Sequence, residues 1–564
     1  MPRQLYEDEE QYVDEEENLQ EEQGIERVGW LRSMPYWALS ALLHLILIVF
    51  FICMVTTMET KREKEVTTVV SLPSAPKQAP PPQYDPTKKR STKRTPKVPG
   101  ARNPKAETPI VLKKEVPEDQ VAADIPQGTS LENLTNTQID ASGGVSKGIN
   151  TGIGLGGGAA GAYGERWGKG SLTQEGGSEG TEDVVLAALE WLRRHQSPEG
   201  CWKSASYTDQ CKRTCQNTDS RYGDSRGSPE HDVGVTALAM LAFAGYGQTH
   251  REGVYQDYVQ CLRKAVDYMK KAQVHSNDPS TNGRYGEAVG EQWIYDHSIA
   301  TMAMGELLVM SNDVIGLKSS VTDAVKLILR AQNDGRGWRY GIKPGDNDTS
   351  VTGWMVLALK TAKQARLDIP KEEFDRAFAG AINWFNFATD AKGKTGYFGP
   401  GDPGSMLASL RQGDFYPYSK ELSCMTAVGV LCRIFSGESR KSQSVRDGVK
   451  ILMKESPRWQ EQKGRSLSSV NMYYWYYGSY ALFQFGGPDW KKWNEDMQKA
   501  LLDNQRAGAD ICEDGSWDPI DEWGSVGGRV YSTAIGAMTF EVYYRFRRMQ
   551  TALGEDQTAS AKGG

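Results

Sequence analysis

Six times in the last two-thirds of this 564-residue chain, a segment with a charged outer face gives way to a Gly/Trp/Asp-rich loop, then to a segment that is small and apolar nearly all round. The apolar segments begin near His231, Tyr295, Asp348, Leu422, Met472 and Val530, and include HDVGVTALAMLAFAG, YDHSIATMAMGELLVM and MYYWYYGSYALFQFGG. Repeats spaced by roughly 50–75 residues supply one helix pair each, burying its face only against its neighbours. A helix apolar all round belongs inside, and one with a charged stripe belongs outside. Six inner and six outer helices therefore predict an all-α, closed, double-layered barrel over residues 181–548.

The rest of the chain reads differently. Residues 1–32 are dominated by Glu and Asp and are expected to be a solvated, unfolded tail. Residues 33–58 carry no Asp, Glu, Lys or Arg, and YWALSALLHLILIVFFICMV is long enough to span a bilayer. Trp30, Tyr36 and Trp37 stand where an interfacial aromatic belt would lie. A single transmembrane helix is expected here. Residues 59–180 turn Pro/Lys-rich and then Gly-rich, the composition of a disordered linker, and residues 549–564 read as a disordered tail. A net charge of −6, with no basic helix carrying interleaved aromatics, argues against nucleic acid as a partner.

Lys61, Arg62, Lys64, Lys88, Lys89 and Arg90 follow the apolar span, and counting them alone would put the large domain in the cytoplasm. Ser40 and His44, spaced S-x-x-x-H within the span and followed by PSAPKQAPPPQYDPTKKR, instead resemble the anchor of TonB-type energy transducers. That resemblance implies a periplasmic toroid and a proton-motor complex as membrane partner of the Ser40/His44 face. Ordinary helix packing by small polar residues is the competing reading.

The outer segments carry a second signature. Ala188, Trp191, Leu192, Gln196, Gly200 and Trp202 spell A-x-x-W-L-x-x-x-Q-x-x-x-G-x-W, which resembles the QW motif of squalene–hopene cyclases. Partial copies run through Ala265 and Gln273, through Ala324, Gln332, Gly337 and Trp338, through Gly380, Trp384 and Gly396, and through Ala500, Gln505, Gly515 and Trp517. The resemblance is to the terpenoid cyclase/protein prenyltransferase repeat superfamily, and it implies an α6/α6 toroid with a central cavity open at one end. Read physically, the Gln amide bonds orphan backbone groups at a helix end, Gly permits the turn, and Trp stacks across it. The residues that start the inner helices would then ring the mouth: His231, Asp232, Asp296, His297, Asp348, Thr349, Cys424 and Tyr531.

The catalytic signatures of that superfamily are incomplete. In GDNDTS, Asn347 stands where a class II cyclase places its proton-donating Asp, while Asp348 also suits a helix N-cap. The zinc set of protein prenyltransferases is broken, because Ser298 replaces the Cys of Asp-x-Cys and Tyr531 stands in place of the His. A divergent cyclase, prenyltransferase or polysaccharide lyase could still use Asp348, Asp296, His297 and Tyr531, with Arg336 and Arg339 available against a carboxylate. Because the signatures are incomplete, a binding or interaction module that takes an isoprenoid, a glycan or an envelope protein is the first expectation, and the divergent enzyme is the alternative. Aromatic side chains such as Trp293, Trp354 and Tyr473 to Tyr477 would suit such ligands.

Cys201, Cys211 and Cys215 lie in the first rim loop and Cys512 in the sixth. Units one and six are neighbours in a closed ring, so two disulfides or a structural zinc at that seam are both expected solutions.

Overall fold

The structure, a computed structural model, describes residues 44, 176–213, 225–253, 255–290, 293–402, 423–459, 461–462, 467–508 and 510–545. The chain divides into two units, Met1–Gln78 and Ala79–Gly564. In the first unit only His44 is described; it is helical and exposed. The expected membrane span and Ser40 otherwise lie outside the described residues, and among the described residues no helix is long and apolar enough to cross a membrane.

Among the described residues, the second unit contains six helix pairs. The outer helices are α1 (Glu179–Arg194), α3 (Gln256–Ala272), α5 (Val314–Ala331), α7 (Lys371–Ala388), α9 (Gln443–Leu452) and α11 (Gly487–Leu502). The inner helices are α2 (Asp232–Gly245), α4 (Trp293–Ser311), α6 (Thr349–Ala362), α8 (Cys424–Phe435), α10 (Met472–Phe485) and α12 (Gly524–Phe540), and a short α13 (Val542–Arg545) follows. A two-residue ladder, Glu461↔Ser468 and Gln462↔Leu467, is the one strand pair among the described residues. Each inner helix packs on the next, and α12 returns to pack on α2, so the inner layer closes. Outside it, α11 meets α1 across the seam. This is the α/α toroid that the repeat predicts.

Local chemistry sets the elements. In α3, Tyr258, Val259, Leu262, Ala265, Val266 and Met269 recur at helical spacing and form the buried face, while Lys270 and Lys271 favour the helix C-terminus. In α2 every residue from Gly234 to Gly245 is buried, as an inner layer requires. Ser178 and Thr181 form a reciprocal capping box on α1, so the toroid starts slightly before residue 181. The last inner helix also starts earlier than its apolar run, at Gly524 rather than Val530. Its regular path is interrupted at Gly528 (φ 62°), where it passes against the backbone of Arg226 and Gly227. A side chain there would have no room.

The Gln of each QW copy does more than cap its own helix. Gln196 Nε2 donates to Gly200 O and to Cys261 O in the next outer helix, both at 2.8 Å. Gln273 does the same to Gly283 O and Ser320 O, and Gln332 to Arg336 O and Ala377 O. Gln505 reaches Gly515 O at 2.7 Å and then Val184 O of the first outer helix at 2.8 Å. One amide thus joins a loop to its neighbouring unit, and the last copy closes the ring. The Trp residues cap rather than stack: Trp202, Trp338 and Trp517 donate their indole N–H to Leu192 O, Ile328 O and Leu501 O, carbonyls in the last turn of the preceding outer helix. Replacing Gln505 with Ala removes two hydrogen bonds at the seam, and should lower stability by roughly 1–3 kcal/mol. Urea denaturation measures it, and an unchanged midpoint would show that the amide contributes nothing.

At the end of the barrel opposite the loops, Arg545 fills the space between the C-terminal ends of the inner helices. Its Nη2 meets both carboxylate oxygens of Glu306 at 3.0 and 2.9 Å, and its Nη1 meets Glu541 Oε2 at 2.7 Å and Leu241 O at 2.9 Å. All three charged side chains are fully buried. A Cβ at Gly245 would collide with Glu541 and Arg545, so glycine is what lets the plug seat. Above it, Trp354 stacks on Tyr476 (5.9 Å, 16°), and Tyr477 meets Trp354 edge-on at 5.6 Å. These buried aromatics of the inner layer pack on one another.

Candidate functional site

The N-termini of the inner helices, with the loops that lead into them, form one rim of the toroid. Asp348 caps α6: its Oδ1 accepts from Val351 N at 2.6 Å, and its own N–H donates to Trp338 O. The side chain is fully buried, and Oδ2 has no hydrogen-bond partner among the described residues. Burial pushes this carboxyl up to about 7. Three phenols gather beside it. Tyr397 OH lies 3.4 Å from Tyr295 OH and 3.1 Å from Tyr340 OH. Burial first, and then the neighbouring Asp348 carboxylate, raise all three phenols above their ordinary range. On the solvent side Arg339 pairs with Asp346, and its guanidinium stacks 4.3 Å from the exposed Phe398 ring and 5.3 Å from Tyr340. Thr349 donates to Gly396 O at 2.7 Å and accepts from the Trp384 indole, which fixes the loop that carries Tyr397.

Tyr473 of α10 extends the site across the rim, with its hydroxyl 3.0 Å from Ser350 Oγ and its ring 6.2 Å from Trp523. Beyond it lies a second buried carboxyl, Asp521. It accepts from Met472 N (3.0 Å), Trp523 N (3.1 Å) and Tyr531 OH (3.2 Å). Burial, with the adjacent Glu522 charge, lifts Asp521 to about 7 as well. Cys424 is buried nearby, and burial followed by Glu522 raises its thiol, so it is a poor nucleophile. Asp296 takes a hydrogen bond from His231 Nδ1 at 3.2 Å. A Cβ at Gly234 would strike the Asp296 carboxylate, so the close approach of α2 to α4 builds this pair.

Two expected rim residues serve the scaffold. His297 is fully buried, its Nδ1 accepts from Tyr285 N and its Nε2 donates to Ala324 O, both at 3.2 Å. It occupies the place that Thr236, Thr352 and Thr426 hold in other units, where each hydroxyl accepts from a loop N–H. Asp232 Oδ1 is occupied by Ser204 N and Ser204 Oγ at 2.8 and 2.9 Å. The rim therefore joins Asp348 to Thr349, and Tyr531 to Cys424 through the Asp521 pair; it gives Asp296 to His231 and leaves His297 facing the outer layer. Tyr340, Tyr397, Asp521 and Glu522 escape a reading of the sequence, although the Asp521–Glu522 pair in the sixth loop is a signal in plain sight.

Among the described residues no cysteine is in a disulfide. The ligand atoms of His195, Cys211 and Cys512 lie within 4.8 Å of one another. Cys201 does not join them; its Sγ sits 3.2 Å from Ser197 Oγ. Cys215 lies outside the described residues. The expected grouping is thus corrected: a histidine enters and Cys201 leaves, because Cys201 is tied to the start of its own loop.

No protein-family profile matches the chain. No curated protein matches it either. Solved structures with a similar fold include an α-amylase from Clostridium perfringens (13% identity, TM-score 0.39, 64% of this chain and 97% of that one). An inactive variant of an α-1,6-mannanase from a Salegentibacter species, in complex with α-1,6-mannotriose, shares 10% identity at a TM-score of 0.42, over 65% of this chain and 99% of that one. A protein from Actinoplanes shares 13% identity at a TM-score of 0.36, over 64% of this chain and 99% of that one.

Proposed function

We propose that this chain is a membrane-anchored, glycan-binding toroid whose site is the rim around Asp348. The observation that carries this reading is a fully buried carboxyl with one oxygen unpartnered among the described residues, beside three phenol hydroxyls and the Arg339/Phe398 stack. Hydroxyls that both donate and accept, next to an exposed aromatic face, suit a polyhydroxylated ligand. An isoprenoid needs an apolar tunnel, whereas the buried Trp354, Tyr476 and Tyr477 of the inner helices pack ring against ring.

The test is calorimetry of the full-length protein in detergent against a panel of neutral and uronate-containing oligosaccharides. One class should bind, and Phe398→Ala and Tyr340→Phe should each weaken it by ~tenfold without changing the melting temperature. No binding across the panel, or variants that bind like the parent, would overturn the site. A catalytic reading is favoured by the full burial of Asp348 and Asp521, which pushes both carboxyls up to about 7, where a carboxyl serves as acid or base. In that case Asp348→Asn would keep binding and lose the release of reducing ends. Residues 33–58 supply the anchor in this proposal. The full-length chain should stay in carbonate-washed membranes, while a chain lacking residues 1–58 should not.

A further inference from the structure

We propose that His195, Cys211 and Cys512 bind a zinc ion that clamps the seam between the first and sixth units of the ring. His195 is the C-cap of α1, Cys211 follows the short turn Tyr207–Gln210, and Cys512 comes from the loop before α12, so the set joins the two ends of the toroid. His195 Nε2 already lies 3.1 Å from Cys512 Sγ, and all three ligand atoms fall within 4.8 Å. Donors around a tetrahedral zinc stand about 3.5–3.8 Å apart, so closing on the ion needs about 1 Å of adjustment. Two thiols and an imidazole are the soft, mixed donor set that selects zinc over calcium or magnesium.

The surroundings are those of a ligand set held in place. His195 Nδ1 lies 2.7 Å from Trp191 O, which puts the proton on that nitrogen and leaves the Nε2 lone pair facing Cys512. The imidazole stacks on Trp191 (4.1 Å, 21°), and the Trp191 indole donates to Cys512 O at 2.9 Å. Tyr207, buried against both rings, fixes the turn that delivers Cys211. Arg194 reaches Cys211 Sγ at 3.8 Å and Asp514 O at 2.8 Å, placing a positive charge where a thiolate gains from it. His195 and Cys512 are buried too deeply to act on a substrate, and the three donors leave one position of the zinc tetrahedron for a fourth ligand, so the ion would serve to hold the seam.

The full-length protein, purified without chelator and reconstituted with zinc chloride, should hold about one zinc per chain. Cobalt(II) in its place should give the charge-transfer bands of thiolate coordination. Cys211→Ser, at a half-buried position that tolerates the change, should lose the cobalt spectrum and weaken zinc binding more than tenfold, while Cys201→Ser should keep both. Chelation should lower the melting temperature of the parent and leave that of Cys211→Ser unchanged. Absence of retained zinc and of a cobalt spectrum would overturn the site, and so would a Cys211–Cys512 cystine in non-reducing peptide maps. A spectrum that survives in Cys211→Ser would overturn it equally.

Discussion

Replacing Arg545 with alanine should cost about 3–5 kcal/mol, a large share of the roughly 5–15 kcal/mol by which a native protein is stable. The cause is what the substitution leaves behind. Glu306 and Glu541 are fully buried on either side of the guanidinium, and without it two carboxylates share a site that water does not reach. They must then ionise against each other or take up protons, and either route costs free energy. Arg545→Lys should fail nearly as badly, because one ammonium cannot span both Glu306 oxygens, Glu541 and Leu241 O together. The contrast is Lys363→Ala, which breaks the exposed Lys363–Asp375 pair and should change stability by no more than about 0.5 kcal/mol. Guanidinium denaturation of the three variants measures the difference. An Arg545→Ala protein as stable as the parent would mean that the plug is not seated as described.

The second large effect depends on pH. Asp348 moves from an ordinary value of 3.8 to about 7 on folding, because burial disfavours its charge. Between those values the folded protein holds a proton that the unfolded chain has released. Its contribution is therefore fully present below about pH 4, falls as pH rises through about 7, and levels off above. Asp348→Asn cannot ionise, yet its amide oxygen still accepts from Val351 N. Relative to the parent, the variant should gain roughly 4 kcal/mol between pH 4 and pH 8. Urea unfolding at intervals across that range gives the comparison. Parallel stability curves would show that Asp348 ionises as an exposed aspartate does.

The architecture was legible because each helix announces its layer by its own composition: α2 is apolar on every side, and α3 only along one stripe. Interactions that cross between units were less so. The recurring Gln was readable as a helix-end residue, but its second carbonyl lies in the next outer helix, which no local pattern reveals. Asp348 was visible both as a cap and as a site residue, and it is a cap whose other oxygen lacks a partner among the described residues. His297 misled because Asp-His at a helix start looks like chemistry, while its position in the repeat belongs to a threonine. His195 is not legible as a site residue, because it sits in the charged outer segment WLRRHQ and its partner is 317 residues away. Asp521 and Glu522 stand together in the sixth loop, but their place at the rim follows only once the last inner helix is seen to begin at Gly524, before its apolar run.

Ring closure also has a consequence in time. Val184 O of the first outer helix receives its bond from Gln505, 321 residues later in the chain. At the usual pace of a ribosome that interval is about 15–60 s. Throughout it, the flank of α1 that α11 and α12 will cover has no mate. Each earlier pair can dock as it emerges, but the nascent arc keeps an apolar edge at either end until translation reaches the sixth unit. An incomplete arc of this kind is open to joining another copy of itself, so the period before closure is when this protein most needs a chaperone.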